Sequence, residues 1–218
     1  LGTRRGGMVM FDPEKGFNRQ IHNIENTPFR TKFEKDLPEF QGCSGIGCIS
    51  DTDPQPILVR SKLGLYAICS VGIIRNSEEL VQELLEKGCS NFEAMSSGAI
   101  NSGDLIGALI AQKDSFVEGI RYAQSRIDGT MSLIILTKDS IIAARDNTGK
   151  LPIVIGKRSD GFCLSTESFA FQKLGYDIYR EMIAGEIVRI TADGCETLSE
   201  GDASKMKMCT FMWTYYGY

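Results

Sequence analysis

The sequence predicts an α+β domain of antiparallel sheets with a helix layer, on three observations. Short apolar or alternating runs fill the first and last thirds of the chain, and three amphipathic runs at helical spacing fill the middle. The joints between the later runs carry turn residues at hairpin spacing, with no helical crossovers between strands. A chain of 218 residues is long enough to bury one core without covalent staples. Its 23 glycines exceed the roughly 7% usual in globular chains, which fits many tight turns.

The first strands are expected at residues 8–11, 20–24, 45–50, 56–60 and 63–69, bounded by Gly, Pro, Asp or Ser. Residues 2–7, with three glycines and two arginines, read as a loop leading into the first strand. They lack the spacing of a phosphate-binding loop and run into a strand, not a helix. Residues 27–40 hold Pro28, Pro38 and mixed charges, a surface connection with one helical turn. The first helix begins with Asn76 as cap and Glu79 reaching back to its amide. It carries a Leu80, Val81, Leu84, Leu85 stripe and stops at Lys87-Gly88. A second helix follows Ser102-Gly103-Asp104, with Leu105, Ile106, Leu109 and Ile110 on one face. The third spans 115–126, with Phe116, Ile120 and Ala123 inward, and its stripe is the weakest because Ala123 buries little. Strands return at 131–137, 140–145, 152–156 and 161–165; a short helix near 167–174 precedes strands at 186–190 and 195–198. Lys138-Asp139, Asp146-Asn-Thr-Gly149 and Asp193-Gly194 supply the hairpin turns.

Composition narrows the function classes. A formal net charge of -4 lacks the basic footprint of a general nucleic-acid binder. No apolar run reaches the roughly 18 residues of a membrane helix, so a soluble chain without membrane contact is expected. The seven cysteines show no CxxC pair and only one histidine is present, so no metal site and no cofactor are expected. The cysteines read as reduced core residues with no neighbour that would lower a thiol pKa, in a cytoplasmic protein. His22, with no second histidine, reads as structural or surface. Ser140, Ser165 and Ser168 have no histidine partner for a nucleophilic triad. Arg145-Asp146-Asn147-Thr148-Gly149 reads as a tight turn closed by Asp146 and Gly149, with Arg145 paired to a nearby acid. The chain starts at leucine without a signal peptide and stops directly after an apolar run, which reads as a piece of a longer protein.

Four segments, in order, resemble a known family. They are Gly45-Ile-Gly-Cys-Ile-Ser50 through Gln55-Pro-Ile-Leu-Val59; Leu65-Tyr-Ala-Ile-Cys-Ser-Val-Gly-Ile-Ile-Arg-Asn76 with Glu78-Glu-Leu80; Ala143-Ala-Arg-Asp-Asn-Thr-Gly-Lys-Leu-Pro152; and Ser165-Thr-Glu-Ser-Phe-Ala170 with Ala184-Gly-Glu-Ile-Val188. They are similar to the class II (N-terminal-nucleophile) glutamine amidotransferase domain of amidophosphoribosyltransferases, which aminate PRPP in purine nucleotide biosynthesis. Cys209-Thr-Phe-Met-Trp-Thr-Tyr-Tyr216 resembles the segment leading into that family's phosphoribosyltransferase domain.

The resemblance implies a four-layer αββα sandwich of two antiparallel sheets, a domain over 1–208 whose first strand lies upstream, and a linking segment at 209–218. It also implies departures at the chemistry. The family's nucleophilic cysteine would lie before Leu1, leaving no catalytic residue in this sequence. The arginine that grips the substrate α-carboxylate would fall at Ser50, and the oxyanion pair at Val71 and Gly72. The aspartate that holds the α-amine would fall at about Ser102, with Asp104 two positions on. The expectation is a glutaminase-like domain that is inactive as a glutaminase, structural or regulatory, partnered by a phosphoribosyltransferase domain and oligomeric with copies of itself. Three alternatives stand beside it. One is a working amidotransferase that feeds ammonia to PRPP. Another is a module that senses glutamine or another small molecule through a cleft of Ser50, Ser70, Gly72 and Ser102. The last is a different N-terminal-nucleophile hydrolase using Thr3.

Overall fold

The computed structural model describes residues 4–88, 92, 98–211 and 214. The chain opens with β1 (Arg5–Asp12), β2 (Gly16–Asn23), the one-turn helix α1 (Phe29–Phe33), β3 (Ser44–Ser50), β4 (Ile57–Ser61) and β5 (Gly64–Ile74). Helices α2 (Ser77–Glu86), α3 (Ser102–Ile110) and α4 (Phe116–Arg126) follow. After them come β6 (Gly129–Leu136), β7 (Ile141–Ala144), β8 (Val154–Arg158), β9 (Gly161–Ser165) and α5 (Phe169–Leu174). The last strands are β10 (Asp177–Glu181), β11 (Ile187–Ile190) and β12 (Cys195–Ser199). All strand pairings are antiparallel, as the hairpin joints predict.

One six-stranded sheet, ordered β12-β11-β7-β6-β5-β4, carries two three-stranded sheets, β2-β1-β3 and β10-β8-β9, on one of its faces. The period-two alternation of the central strands sets the layers. Tyr66 and Ile68 of β5 and Leu133 and Ile135 of β6 meet α3 and α4 through Leu105, Leu109 and Ile120. Ala67, Cys69 and Leu136 point the other way, onto Val9 of β1 and Ile46 of β3. Ala143 and Val188 meet Ile153 and Ile155 in the same direction. Outside the small sheets, Phe29 of α1 lies over Gly6 and Phe171 of α5 over Gly156. The architecture is the four-layer α+β sandwich, and among the described residues its outer helix layer holds the two short helices α1 and α5.

Several local expectations change. Asn76 does not cap α2 with its side chain. Its amide instead bridges the exit of α4, donating to Arg126 O at 3.0 Å and accepting from Asp128 N at 2.9 Å. Gly6 and Gly7 belong to β1 instead of a preceding loop. A Cβ on Gly7 would lie 1.8 Å from Gln55 O, so a bare backbone is required there. Asp146-Asn-Thr-Gly149 joins strands of two different sheets and is not a hairpin turn. Strand β10 was not anticipated, because Asp177-Ile-Tyr-Arg-Glu181 is exposed over most of its length and shows no buried face to read. Thr3, Cys89 and most of 209–218 lie outside the described residues.

Candidate functional site

Ser50 ends β3, Val71 and Gly72 lie in β5, and Ser102 is the first residue of α3. The fold brings all four to the lining of one cavity of about 100 Å³. The loop between β3 and β4 closes it. Asp53 is buried and its Oδ2 accepts from Ser102 N at 3.0 Å. Asn101 caps α3 by accepting from Gly103 N at 2.9 Å and donates to Pro54 O at 3.0 Å. Gln55 spans the backbone of Ser70, accepting its N–H at 2.6 Å and donating to its carbonyl at 3.0 Å. Ser70, expected in the cleft of the sensing alternative, lines the same cavity, as does Gln55 of the family-like segment, whereas Asp53 carries no signal in the sequence beyond the turn chemistry of 53–56.

Glycine at 72 answers to packing. Its φ is +153°, and a Cβ there would sit 2.0 Å from Thr130 O across the β5–β6 ladder. Val71 presents a half-exposed hydrocarbon with no hydrogen to donate. Among the described residues that line the cavity, Asp53 is the single charged one, an anion.

Ser50, Ser70 and Val71 also border a second cavity of about 350 Å³, between the outer strand β3 of one small sheet and the end of β9 in the other. Cys48 and Cys69 line it. A hydrogen bond from Cys69 holds the Cys48 thiol below its ordinary pKa, against desolvation, while that bond and burial hold Cys69 well above. The sequence held no hint of this shifted thiol because its cause is a cysteine 21 positions away in the chain and not a basic neighbour.

The remaining candidates lie away from these two groups of residues or are engaged in local hydrogen bonds. His22 Nε2 is 2.5 Å from Asp36 Oδ2 and meets Phe33 edge-on. Ser140 bonds within the β6–β7 turn, and Ser165 Oγ accepts from Glu167 N at 3.0 Å. Gly149 N donates to Asp146 O at 3.0 Å, closing the turn, and buried Arg145 pairs with Glu181 at 2.7 Å. Among the described residues no group of three or more His, Cys, Asp or Glu is placed to hold a metal, and no helix is long and apolar enough to cross a membrane.

Comparison with known proteins identifies the family. Residues 45–173 match the family model of the glutamine amidotransferase domain. The chain is 32% identical to the amidophosphoribosyltransferase of Synechococcus elongatus, over 99% of this chain and 45% of that protein. Identity to the Synechocystis amidophosphoribosyltransferase is 29%, over 79% of this chain and 35% of the relative. The chain thus spans less than half the length of these relatives. The solved glutamine PRPP amidotransferase of B. subtilis, complexed with ADP and GMP, superposes with a TM-score of 0.82 at 23% identity. That match covers 100% of this chain and 47% of the solved one, and it shows the shared fold. A chain that matches this family model over more than half its length, with its strands in this four-layer order, belongs to the class II glutamine amidotransferase domain family.

Proposed function

We propose that this chain is the glutaminase-like domain of an amidophosphoribosyltransferase-type protein acting in purine nucleotide biosynthesis, and that its own glutamine site is retired, leaving a structural or regulatory role. The observation that supports the second part is the lining of the small cavity, which among the described residues holds no arginine, lysine or histidine and one buried aspartate.

Class II hydrolysis of glutamine asks three things of such a site. A cation must hold the substrate α-carboxylate, an anion its α-amine, and two hydrogen-bond donors the oxyanion that forms when a thiolate attacks the amide. On the correspondence that the family resemblance implies, Ser50 takes the cation's position, so a carboxylate would enter beside Asp53 with no countercharge from the described lining residues and lose its hydration. Val71 offers no side-chain donor, and removal of one such donor typically slows acyl transfer by about 10²–10³. Gly72 stays because Thr130 leaves no room for a side chain, so its presence supports no claim of activity. The framework is kept while the groups that would touch the substrate are absent. No thiolate supplied from an upstream strand would restore the carboxylate clamp.

On this reading the domain covers 1–208, residues 209–218 lead toward a phosphoribosyltransferase domain of the same polypeptide, and that partner takes ammonia directly. The test is pyrophosphate release from PRPP by the full-length polypeptide. Ammonium is expected to support turnover and glutamine is not. Turnover with glutamine, accompanied by glutamate, would show that the assignment of Ser50, Val71 and Ser102 to a retired site is wrong.

A further inference from the structure

A separate cavity of about 410 Å³ lies between the 145–152 turn, the start of β8, the approach to α5 and residues 206–209. It shares no lining residue with the cavity of Ser50 and Ser102. Its wall holds Arg145, only 2% exposed. One Nη of Arg145 donates to Glu181 Oε1 at 2.7 Å and to Met182 O, the other to Gly149 O at 2.5 Å. The Nε hydrogen is buried and has no acceptor. A buried guanidinium donor without a partner is costly.

Two further cations, Lys150 and Lys207, line the same cavity with exposed side chains. They are brought together only by the fold, being far apart in sequence. Among the described residues of the lining the one carboxylate is Glu181, half exposed and already engaged by Arg145. Thr166 and Ser168 add hydroxyl donors, and Ser168 spends none of its hydroxyl on capping α5. Three cations against one carboxylate match the charge of a phosphate monoester, about -1.5 to -2 at neutral pH. The geometry is one planar guanidinium held rigid by the fold and two flexible point charges at the rim, a combination suited to phosphate oxygens. The cavity also exceeds a lone phosphate, and Pro152, Val154 and Met208 give it an apolar wall. We infer that this cavity binds a small molecule through its phosphate group, with Arg145, Lys150 and Lys207 as the anion-holding residues and the rest of the ligand against the apolar wall.

Cys209 lines the cavity and reports its occupancy. The experiment follows alkylation of Cys209 in the full-length polypeptide by peptide mass spectrometry, with inorganic phosphate, glycerol phosphate, succinate or sodium chloride at matched ionic strength. At phosphate or glycerol phosphate concentrations about tenfold above the dissociation constant, the alkylation rate is expected to fall about tenfold, with the free fraction. Lys150→Ala with Lys207→Ala should abolish that protection, whereas Lys113→Ala with Lys138→Ala, removing exposed lysines elsewhere, should keep it. Because the first pair is also exposed, matching thermal melts check the fold, and Lys207→Ala alone should give an intermediate loss. Equal protection by chloride or succinate, protection undiminished in the double variant, or no protection at all would overturn the assignment. None of these outcomes depends on whether glutamine is hydrolysed.

Discussion

Glu186 shows how a residue in a family-like motif acts through structure alone. Its carboxylate is buried and held in a fork by Arg180, at 2.7 and 2.9 Å, while Ile183 N donates to it at 3.0 Å and Thr197 Oγ1 at 3.3 Å. Burial pushes the Glu186 pKa up, but Arg180 and the other donors outweigh it, so the group titrates below its ordinary value. A carboxyl group with a lowered folded pKa stabilises the fold above its unfolded pKa, near 4.3, and loses that contribution as pH falls through the folded value. Glu186→Gln is therefore expected to cost about 2 kcal/mol at pH 7, discounted from a fully buried pair because Arg180 is partly solvated. The deficit should narrow in urea unfolding as the pH falls below the unfolded value of about 4.3, and close below the folded one. An equal deficit at both pH values would show that packing, not charge, is lost. At this scale the order of the family-like segments singled out Ser50, Val71, Gly72 and Ser102, and the fold brings these four to the lining of one cavity. It could not locate Asp53 or the Cys48–Cys69 pair, whose properties come from neighbours brought in by other strands.

Among the elements, α4 explains its own weak sequence signal. Its apolar stripe is thin because it must let backbone approach backbone: a Cβ on Gly119 would lie 2.5 Å from Ile110 O at the end of α3. Ala123, fully buried beside it in sequence periodicity, extends the same small-residue face. Gly119→Ala should thus destabilise the domain by about 1–3 kcal/mol, although alanine is the better helix former by about 1 kcal/mol. A shift of the urea midpoint to higher concentration would mean that propensity wins and the two helices can separate without cost. Elements with a buried stripe, such as α3, whose Leu105, Ile106, Leu109 and Ile110 are all buried, were legible from spacing. Those held by edges or by polar contacts were not. Strand β10 hides little on either side, and Asn76 trades its expected cap for a bridge to α4 that no local pattern announces.

For the whole molecule, the α+β class and antiparallel pairing were readable because hairpin turns and helix stripes are local. The assignment of strands to three sheets was not, since β7 and β8 are adjacent in sequence yet lie in different layers. That division has an energetic consequence. Among the described residues, the core between the six-stranded sheet and α2–α4 contains 16 buried residues, against 6 and 5 in the two cores under the small sheets. At about 25 cal/mol per Å² of apolar surface, the helix side therefore supplies most of the hydrophobic stabilisation. β5 and β6 are also paired on both sides, whereas β2, β3, β9 and β10 are edge strands. Local opening should follow that asymmetry, because segments with few buried contacts open without global unfolding. Native-state hydrogen exchange is expected to show the strongest amide protection in β5, β6 and α3. Exchange in β2, β9 and β10 should be faster and only weakly dependent on denaturant, as for local opening. If β9 and β10 instead exchanged with the same free energy as β6, the two small sheets would form one cooperative unit with the large one, and the cavity between β3 and β9 would be a fixed feature and not a seam.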